Sequence, residues 1–175
     1  MEHKSAPKFP ELIEQRRIAE LRSYNILDTE PEDAFEDITK RASTICGTPI
    51  ALVSFVDVQR QWFKSELGLG IRQTPIQSSI CAHAILQDKV LVVRDTARDL
   101  RFAHNPLVTG DPKIRFYAGV ALRTPSGTPL GTVCVLDIVP RDISEEQIDA
   151  LKLLAKTVMT QLELRKSATT QSESG

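Results

Sequence analysis

The clearest pattern of apolar and polar residues lies between Arg115 and Asp137. Two runs rich in Val, Leu, Phe, Tyr and Thr flank the short cluster Pro125-Ser-Gly-Thr-Pro129, and this arrangement predicts a β-hairpin. Neither run alternates cleanly between polar and apolar residues, because Val133 to Leu136 are consecutive apolar residues. A strand that is apolar on both faces belongs at the centre of a sheet covered on both sides. The pattern therefore predicts a sheet enclosed between two layers.

Helical patterns lie on both sides of this hairpin. The chain is helix-permissive from Glu11 to Tyr24. A second helix is predicted after Thr29, because Thr29 and Glu32 match a capping box. Its apolar residues then recur at 3-4-3 spacing, which builds one apolar stripe; they are Phe35, Ile38, Ala42 and Ile45.

The middle of the chain alternates apolar runs with turn formers. Ile50 to Val56 and Arg60 to Leu67 predict a second hairpin, followed by a loop. A short helix is predicted from Ser78 or Ser79 to Leu86, and a short strand from Val90 to Val93. Asp95 to Pro112 predicts a long ordered loop, and loops of this length inside compact domains are usually functional or disordered.

A last helix is predicted to begin at Ser144, which forms a capping box with Gln147. Its apolar residues step at 3-4-3-4 spacing, the spacing of a coiled-coil seam. The seam either packs on the sheet or joins the same helix of a second copy in a parallel dimer. The seam residues are Ile148, Leu151, Ala155, Val158 and Leu162.

The domain boundaries follow from these elements. Residues 1–10 are polar with two prolines and predict a flexible N-terminus. Residues 11–166 hold all the periodic segments and predict one domain. Residues 167–175, which read SATTQSESG, have the low hydrophobicity of a disordered tail.

Composition narrows the class of protein. The chain has 175 residues, 41% of them hydrophobic and 26% charged, with a net charge of −1. Binding to nucleic acid or to anionic membranes through bulk charge is therefore not expected. No apolar run approaches the roughly 20 residues that span a bilayer, and the N-terminus lacks the apolar core of a secretory signal. The three cysteines are far apart, which favours reduced thiols and a cytoplasmic location.

Seven segments, read in order, resemble the GAF domain, and most closely the GAF domains near the N-terminus of bacterial sensor histidine kinases and diguanylate cyclases. They extend from about residue 16 to about residue 165. The segments are Tyr24-Asn-Ile-Leu-Asp-Thr-Glu-Pro31, Ala51-Leu-Val-Ser-Phe-Val-Asp57, Arg60-Gln-Trp-Phe-Lys64, Cys81-Ala-His-Ala-Ile85, Asp99-Leu-Arg-Phe-Ala-His-Asn-Pro106, Phe116-Tyr-Ala-Gly119 and Leu130-Gly-Thr-Val-Cys-Val-Leu-Asp137.

The resemblance implies an α+β fold with a GAF-type central antiparallel β-sheet. It places the N- and C-terminal helices on one face and closes a pocket on the other with the short helix and the long loop. It also implies a sensory or regulatory module that binds a small ligand and passes the signal through the terminal helices of a homodimer. A kinase or cyclase output domain in a longer parent protein is the expected partner.

Several residues are candidates for this pocket. Arginine and histidine in the long loop would suit a carboxylate or a phosphate, so an anionic ligand is expected; the alternative is a local ion pair between Asp99 and Arg101. Either Trp62 or Phe63 faces inward, depending on the strand register. The predicted ligand-binding residues are Asp57, Trp62, Cys81, His83, Arg101, Phe102, His104, Asn105 and Tyr117.

Neither a cofactor nor a metal is predicted. Cys81 and His83 lie two residues apart, but a structural zinc site needs four ligands. GAF domains that attach a linear tetrapyrrole have a cysteine followed directly by histidine, and here Ala82 intervenes. The dispersed Asn-Lys-Phe-Asp-Glu signature of GAF domains that bind cyclic nucleotides is also missing, because the chain has no Asn-Lys pair.

We therefore expect a non-catalytic regulatory domain, with two alternatives. One is a structural dimerisation module whose sheet face is filled by side chains and binds no ligand. The other is a thiol enzyme like the free methionine-(R)-sulfoxide reductase, which needs a nucleophilic cysteine and a resolving one. Cys81 could be the nucleophile, but the long loop has no cysteine, and Cys134 lies in an apolar strand. Cys81 is thus expected to be dispensable.

Overall fold

The computed structural model describes the backbone of residues 6–174 and the side chains of residues 6–168. The helices in this part of the chain are α1 (Glu11–Ser23), α2 (Asp33–Cys46), α3 (Cys81–Ala84), α4 (Pro106–Thr109) and α5 (Glu145–Ser174). The strands are β1 (Ile50–Val56), β2 (Arg60–Leu67), β3 (Gln73–Pro75), β4 (Leu91–Val93), β5 (Phe116–Arg123) and β6 (Pro129–Asp137).

The six strands form one antiparallel sheet in the order β3-β2-β1-β6-β5-β4. Strands β1 and β6 lie side by side at its centre, and all their residues are buried. This confirms the prediction of a sheet covered on both faces, since a strand apolar on both sides needs a layer above and a layer below.

Helices α2 and α5 cover one face of the sheet, together with the C-terminal part of α1. The predicted seam of α5 packs in this layer, where Leu151, Val158 and Leu162 are fully buried within a single copy of the chain. The seam therefore serves its own sheet, which was the first of the two alternatives, and it is not available to a second copy.

The opposite face is covered by α3 and by the segment from Asp95 to Pro112, which we call the lid. The lid has a short 3-10 turn at Thr96–Arg98 and the four-residue helix α4, whose first turn is capped by Asn105. We call the apolar side chains between sheet and lid the lid-side cluster; its members include Phe63, Phe102, Ile114, Tyr117 and Cys134. The sheet is thus covered on both faces, as predicted.

The two predicted capping boxes have different outcomes. Ser144 and Gln147 cap each other's backbone N–H groups at 3.1 and 3.0 Å, as predicted for α5. At α2 the prediction is wrong, because the helix begins at Asp33 and the Thr29 hydroxyl donates to the Ile26 carbonyl instead. The Glu32 carboxylate turns away from the helix start.

Glu32 turns away because it binds the ammonium group of Lys64, whose side chain is fully buried. Lys64 is the extra residue of a β-bulge in β2, since Ser65 pairs with Val53 and Phe63 pairs with Ser54. Strand alternation places the Lys64 side chain opposite Phe63, among the helices and 5.4 Å from the centre of the Phe35 ring; the bulge keeps Ser65 on the same side, where its hydroxyl lies 2.9 Å from Thr39 Oγ1. A buried ammonium must be paired, and this requirement fixes the segment before α2.

The chain termini differ from the prediction in one respect. Helix α5 continues to Ser174, so residues 167–174 are helical where the composition predicts disorder. Extending an existing helix is far easier than starting one, which explains why a polar segment can stay helical. Residues 6–10 have no regular secondary structure, and residues 1–5 and 175 of the two predicted flexible ends lie outside the described part.

None of the helices in the described part of the chain combines the length and the apolar character that crossing a membrane requires.

Candidate functional site

The pocket implied by the resemblance is almost completely filled. The cavity between sheet and lid measures about 10 Å³, and its lining includes Phe63, Cys81, Leu107, Ile114 and Tyr117. A cavity of this size holds about one water molecule, whereas small-molecule sites typically measure 300–1,000 Å³. In this structure the lid is closed over a core of side chains.

The strand register decides which aromatic residue of β2 faces the lid. Trp62 pairs with Phe55 and stacks on its ring on the helix side, at a centroid distance of 6.5 Å. Phe63 faces the lid and lines the cavity. The assignment of Trp62 to the pocket is therefore corrected, because successive residues of a strand point to opposite faces.

The lid buries one aromatic side chain and leaves its arginine and histidine exposed. Phe102 is fully buried, and the His83 ring meets it edge-on at 4.7 Å. Arg101 forms a two-pronged ion pair with Asp99, at 2.7 and 3.0 Å, and is 43% exposed. His104 is exposed as well. The structure thus places Arg101 in the local ion pair that was the alternative to anion binding.

Electrostatics support this description of the lid. Hydrogen bonds from Arg101 hold the pKa of the Asp99 carboxyl below its ordinary value. Burial, assisted by the positive charge of Arg101, lowers the pKa of His83. His83 is therefore a neutral imidazole packed on Phe102 at neutral pH.

Asn105 and Asp57 have local structural roles. The Asn105 side chain accepts from the Leu107 N–H at the start of α4 and donates to the Ser78 carbonyl at 3.2 Å, which ties the lid to the segment before α3. Asp57 lies in the turn between β1 and β2, where its carboxylate accepts from the Val58 N–H and from Arg60. Neither side chain lines the lid-side cavity.

Cys81 and Tyr117 meet at the centre of the lid-side face. The Tyr117 hydroxyl donates to Cys81 Sγ at 3.2 Å, and Thr132 Oγ1 lies 3.1 Å from the same sulfur. Cys134 Sγ is 3.9 Å from Cys81 Sγ. Cys81 therefore has a second thiol in contact, which removes the reason for expecting it to be dispensable.

The sequence reasoning missed Cys134 because it interpreted the strand as uniform core. A signal was present, since Thr132 and Cys134 are two residues apart and therefore share one face of β6. That face carries polar atoms towards α3, and the face with Val133 and Val135 packs under the helices.

Hydrogen bonding makes the two thiols chemically different. Burial raises the pKa of Cys81, but hydrogen bonds from Cys134, Thr132 and Tyr117 outweigh it and lower the pKa to about 7. Burial and the neighbouring Cys81 raise the pKa of the Cys134 thiol and of the Tyr117 hydroxyl well above their ordinary values. As the pH rises, Cys81 therefore loses its proton before Cys134 does.

A glycine makes room for this cluster. Gly119 lies two residues after Tyr117 on the same face of β5, and the Tyr117 ring folds over it. A Cβ atom on residue 119 would lie 2.7 Å from the Tyr117 Cζ atom and 2.8 Å from its Cε1 atom. The tyrosine hydroxyl reaches Cys81 only because residue 119 has no side chain.

A much larger opening lies on the helix side. It is a groove of about 1130 Å³ between α5 and the β4–β5 edge of the sheet. Its floor is apolar and includes Val92, Val120 and Met159, and its rim carries Lys152 and Glu163. The sequence reasoning placed the pocket on the other face, so this groove was not foreseen.

No three His, Cys, Asp or Glu side chains within the described part of the chain come together in a way that could hold a metal ion.

Comparison with known proteins identifies the family. The family model described as "GAF domain" matches residues 30–162. The chain belongs to the GAF domain family. GAF domains are regulatory or sensory modules, and the six-stranded antiparallel sheet between two layers is the GAF fold.

A curated relative is the cyclic di-GMP phosphodiesterase PA2567 of Pseudomonas aeruginosa, 42% identical over 164 residues, which are 93% of this chain. The match spans only 28% of that relative's length. The phosphodiesterase activity in its name belongs to the whole relative.

Solved structures confirm the fold. The GAF domain of an Acinetobacter phosphoenolpyruvate-protein phosphotransferase has a TM-score of 0.65 at 14% identity, covering 91% of this chain and 97% of that one. The free methionine-R-sulfoxide reductase of Neisseria meningitidis has a TM-score of 0.63 at 15% identity, covering 95% and 99%. At these identities the likeness extends to the fold alone.

We predict that Gly119→Ala destabilises the domain by about 1–3 kcal/mol, the usual cost of overpacking a core, because the new methyl group displaces the Tyr117 ring. Urea denaturation measures the change in the free energy of unfolding. In a Tyr117→Leu background the same substitution should cost less than half as much. Equal costs in both backgrounds would show that the Tyr117 ring is not what excludes a side chain at residue 119.

Proposed function

We propose that the chain is a non-catalytic regulatory input domain, in which a small ligand enters beneath the lid and the bulge in β2 carries the resulting change to α5. The observation that carries this proposal is the position of the bulge. Phe63 lines the lid-side cavity, and the next residue, Lys64, binds the helix layer on the other face. One short segment of backbone therefore touches both layers.

The contacts of Lys64 continue to α5. Its ammonium group lies 2.5 Å from the Glu32 carboxylate and 2.8 Å from Thr29 Oγ1. The same carboxylate oxygen of Glu32 accepts from Arg165 on α5 at 2.8 Å. Hydrogen bonds from Lys64, together with the charge of Arg165, lower the pKa of Glu32, so the carboxylate is charged at neutral pH. A displacement of β2 at Phe63 is thus linked to α5 by two ion pairs.

Helix α5 is suited to pass such a change onward. Leu162 is its last residue in the helix-side core among the described side chains, and the helix continues to Ser174. Tyr24 and Lys166 attach this part of α5 to the end of α1, where the Tyr24 hydroxyl donates to Glu163 and the Lys166 ammonium lies over the Tyr24 ring. A shift of Arg165 would therefore move the ends of both terminal helices together.

The phosphodiesterase relative supports a proposal for the output. We propose that in a longer parent protein α5 leads to an enzymatic domain, of the kind that makes or degrades a cyclic dinucleotide. The match to PA2567 covers nearly all of this chain but a minor part of the relative. This division is the one expected for an input domain joined to a separate catalytic unit.

A second candidate function is a structural module without a ligand. The filled cavity of about 10 Å³ favours it, because a ligand must first displace the lid. The lid-side cluster then acts only as a core, and the domain contributes its helices to an assembly.

A ligand screen separates these two candidates. A compound at 100 times its dissociation constant adds about 2.7 kcal/mol to the free energy of unfolding, which for a domain of this size raises Tm by about 5–10 °C. We predict that a library of anionic and neutral metabolites contains such a compound. We also predict that its binding alters hydrogen exchange of α5 amides near Arg165.

Lys64→Met is the matched control for this experiment. Lys64 lies on the helix side and does not line the cavity, so the variant should still bind the compound but lose the exchange response in α5. A response that survives in Lys64→Met would reject the bulge as the route. A complete library without any stabilising compound would favour the structural module.

We also propose a homodimer formed through α5, by a surface other than the predicted seam. Leu153 and Leu164 are 64% and 59% exposed, and with Thr157 and Thr160 they follow a 4-3-4 spacing on one side of the helix. The threonine hydroxyls donate to the carbonyls of Leu153 and Lys156, so their hydrogen bonds are satisfied within α5. Thr160 and Leu164 also border the groove beside α5.

We predict a dimer at micromolar concentration that Leu153→Glu and Leu164→Glu each weaken at least tenfold, since each buries a charge in the contact. Sedimentation equilibrium measures the dissociation constant. Val58→Glu, at an exposed apolar residue in the β1–β2 turn, is the matched control and should leave it unchanged. A monomeric wild-type chain at all concentrations would contradict the proposal.

A further inference from the structure

Two buried thiols lie together in the lid-side cluster without any role in the proposed function. Cys81 lies at the start of α3 and Cys134 at the centre of β6, and their exposed fractions are 1% and 0%. Their sulfur atoms are 3.9 Å apart. A disulfide bond has an S–S distance near 2.05 Å, so a movement of about 2 Å brings these atoms to bonding distance.

We infer that Cys81 and Cys134 form a peroxide-sensitive dithiol, which hydrogen peroxide converts to an intramolecular disulfide within the folded domain. The site is a modification site for a small oxidant, and it does not depend on a metabolite binding beneath the lid.

The chemistry assigns one role to each sulfur. The Cys81 thiolate attacks one oxygen of hydrogen peroxide; an S–O bond forms, the O–O bond breaks, and hydroxide leaves and takes up a proton to become water. Cys134 then attacks Cys81 Sγ; the S–S bond forms, the S–O bond breaks, and the second hydroxide leaves as water with the proton of the Cys134 thiol. Two thiols and one peroxide thus give one disulfide and two waters.

The surroundings of Cys81 favour it as the attacking sulfur. Tyr117 and Thr132 place hydroxyl groups 3.2 and 3.1 Å from its sulfur and stabilise negative charge there. Ser54 pairs with Thr132 across the sheet, and its buried hydroxyl is a further polar group that helps to lower the pKa of Cys81.

The size of the cavity selects the oxidant. Cys81 and Tyr117 line the space of about 10 Å³, which holds about one water molecule. Hydrogen peroxide is little larger than water, whereas glutathione disulfide and aromatic disulfide reagents do not fit. The closed lid therefore admits the small oxidant and excludes larger ones.

Disulfide formation would alter the lid. Bringing the sulfurs together draws α3 towards β6 and removes the thiolate that accepts the Tyr117 hydrogen bond. His83 lies on the same short helix and packs against Phe102 of the lid. Oxidation at Cys81 is thus transmitted to the segment that covers the sheet.

The test treats the folded 175-residue chain with hydrogen peroxide at neutral pH, then denatures and alkylates it. The untreated chain should show three alkylated cysteines and the oxidised chain one, Cys46, with a mass loss of two hydrogens and a Cys81–Cys134 cross-linked peptide. Cys46→Ser is the matched control and should form the same disulfide. In Cys134→Ser, peroxide should convert Cys81 to a sulfenic acid, which dimedone traps when the chain is denatured in its presence.

Two results would overturn the inference. One is that all three thiols stay alkylatable after peroxide treatment, or that the disulfide includes Cys46 or joins two chains. The other is that dithionitrobenzoate reacts with Cys81 as fast as peroxide does, which would mean that oxidation needs an open domain and not the closed site.

The role of Tyr117 can be tested with Tyr117→Phe. Removing one hydrogen bond to the thiolate should slow peroxide oxidation at pH 7 about fivefold and move the midpoint of its pH profile upward. Thr124→Val, at a buried hydroxyl away from the thiols, should leave the rate and the profile unchanged. An unchanged profile in Tyr117→Phe would show that the tyrosine only fills space.

Discussion

The buried ammonium group of Lys64 is the constraint on which the helix layer depends. An unpaired charge in a protein interior is strongly destabilising, and a buried pair is tolerated only when its hydrogen bonds are satisfied. Here Lys64 faces the helices, opposite to Phe63, and Thr29, Glu30 and Glu32 supply the acceptors. The segment between α1 and α2 has to follow this arrangement, and so does the start of α2.

Phe63 and Lys64 also join the two faces of the sheet. A strand sends successive side chains to opposite faces, so Phe63 enters the lid-side cluster and Lys64 the helix layer, and the bulge keeps Ser65 beside Lys64 on the helix side. Arg165 brings α5 into the same group of charges through Glu32. A regulatory domain needs a contact between the part that senses and the helix that responds, and we propose that this segment is that contact.

The regular elements could be predicted from the sequence, and the bulge could not. Ile50–Val56 and Arg60–Leu67 are runs of strand-forming residues bounded by turns, and the structure places the two strands at these residues. The capping box at Ser144 is a local pattern and formed as predicted. The matching pattern at Thr29 failed because Glu32 is needed by Lys64, which is 32 residues away in the chain.

The candidate site was harder to predict, because its residues are also far apart in the chain. Cys81 was found because the resemblance places it on the short helix that closes the pocket, but its partner Cys134 is 53 residues further along. Which of Trp62 and Phe63 faces the lid depends on the register of β2 against β1, which a single sequence leaves open. The bulge at Lys64 has no local signature, because it is defined by how β2 pairs with β1.

A double-mutant cycle tests the link between the two faces most directly. Phe63→Leu and Arg165→Met would be made singly and together, and the free energies of unfolding compared by urea denaturation, with a second cycle of Ile114→Val and Arg165→Met as the reference. If the bulge links the lid-side cluster to α5, the free-energy changes of the first cycle depart from additivity by more than about 0.5 kcal/mol. Those of the reference cycle should be additive within about 0.3–0.5 kcal/mol, as is usual for distant sites. Additivity in both cycles would contradict the link.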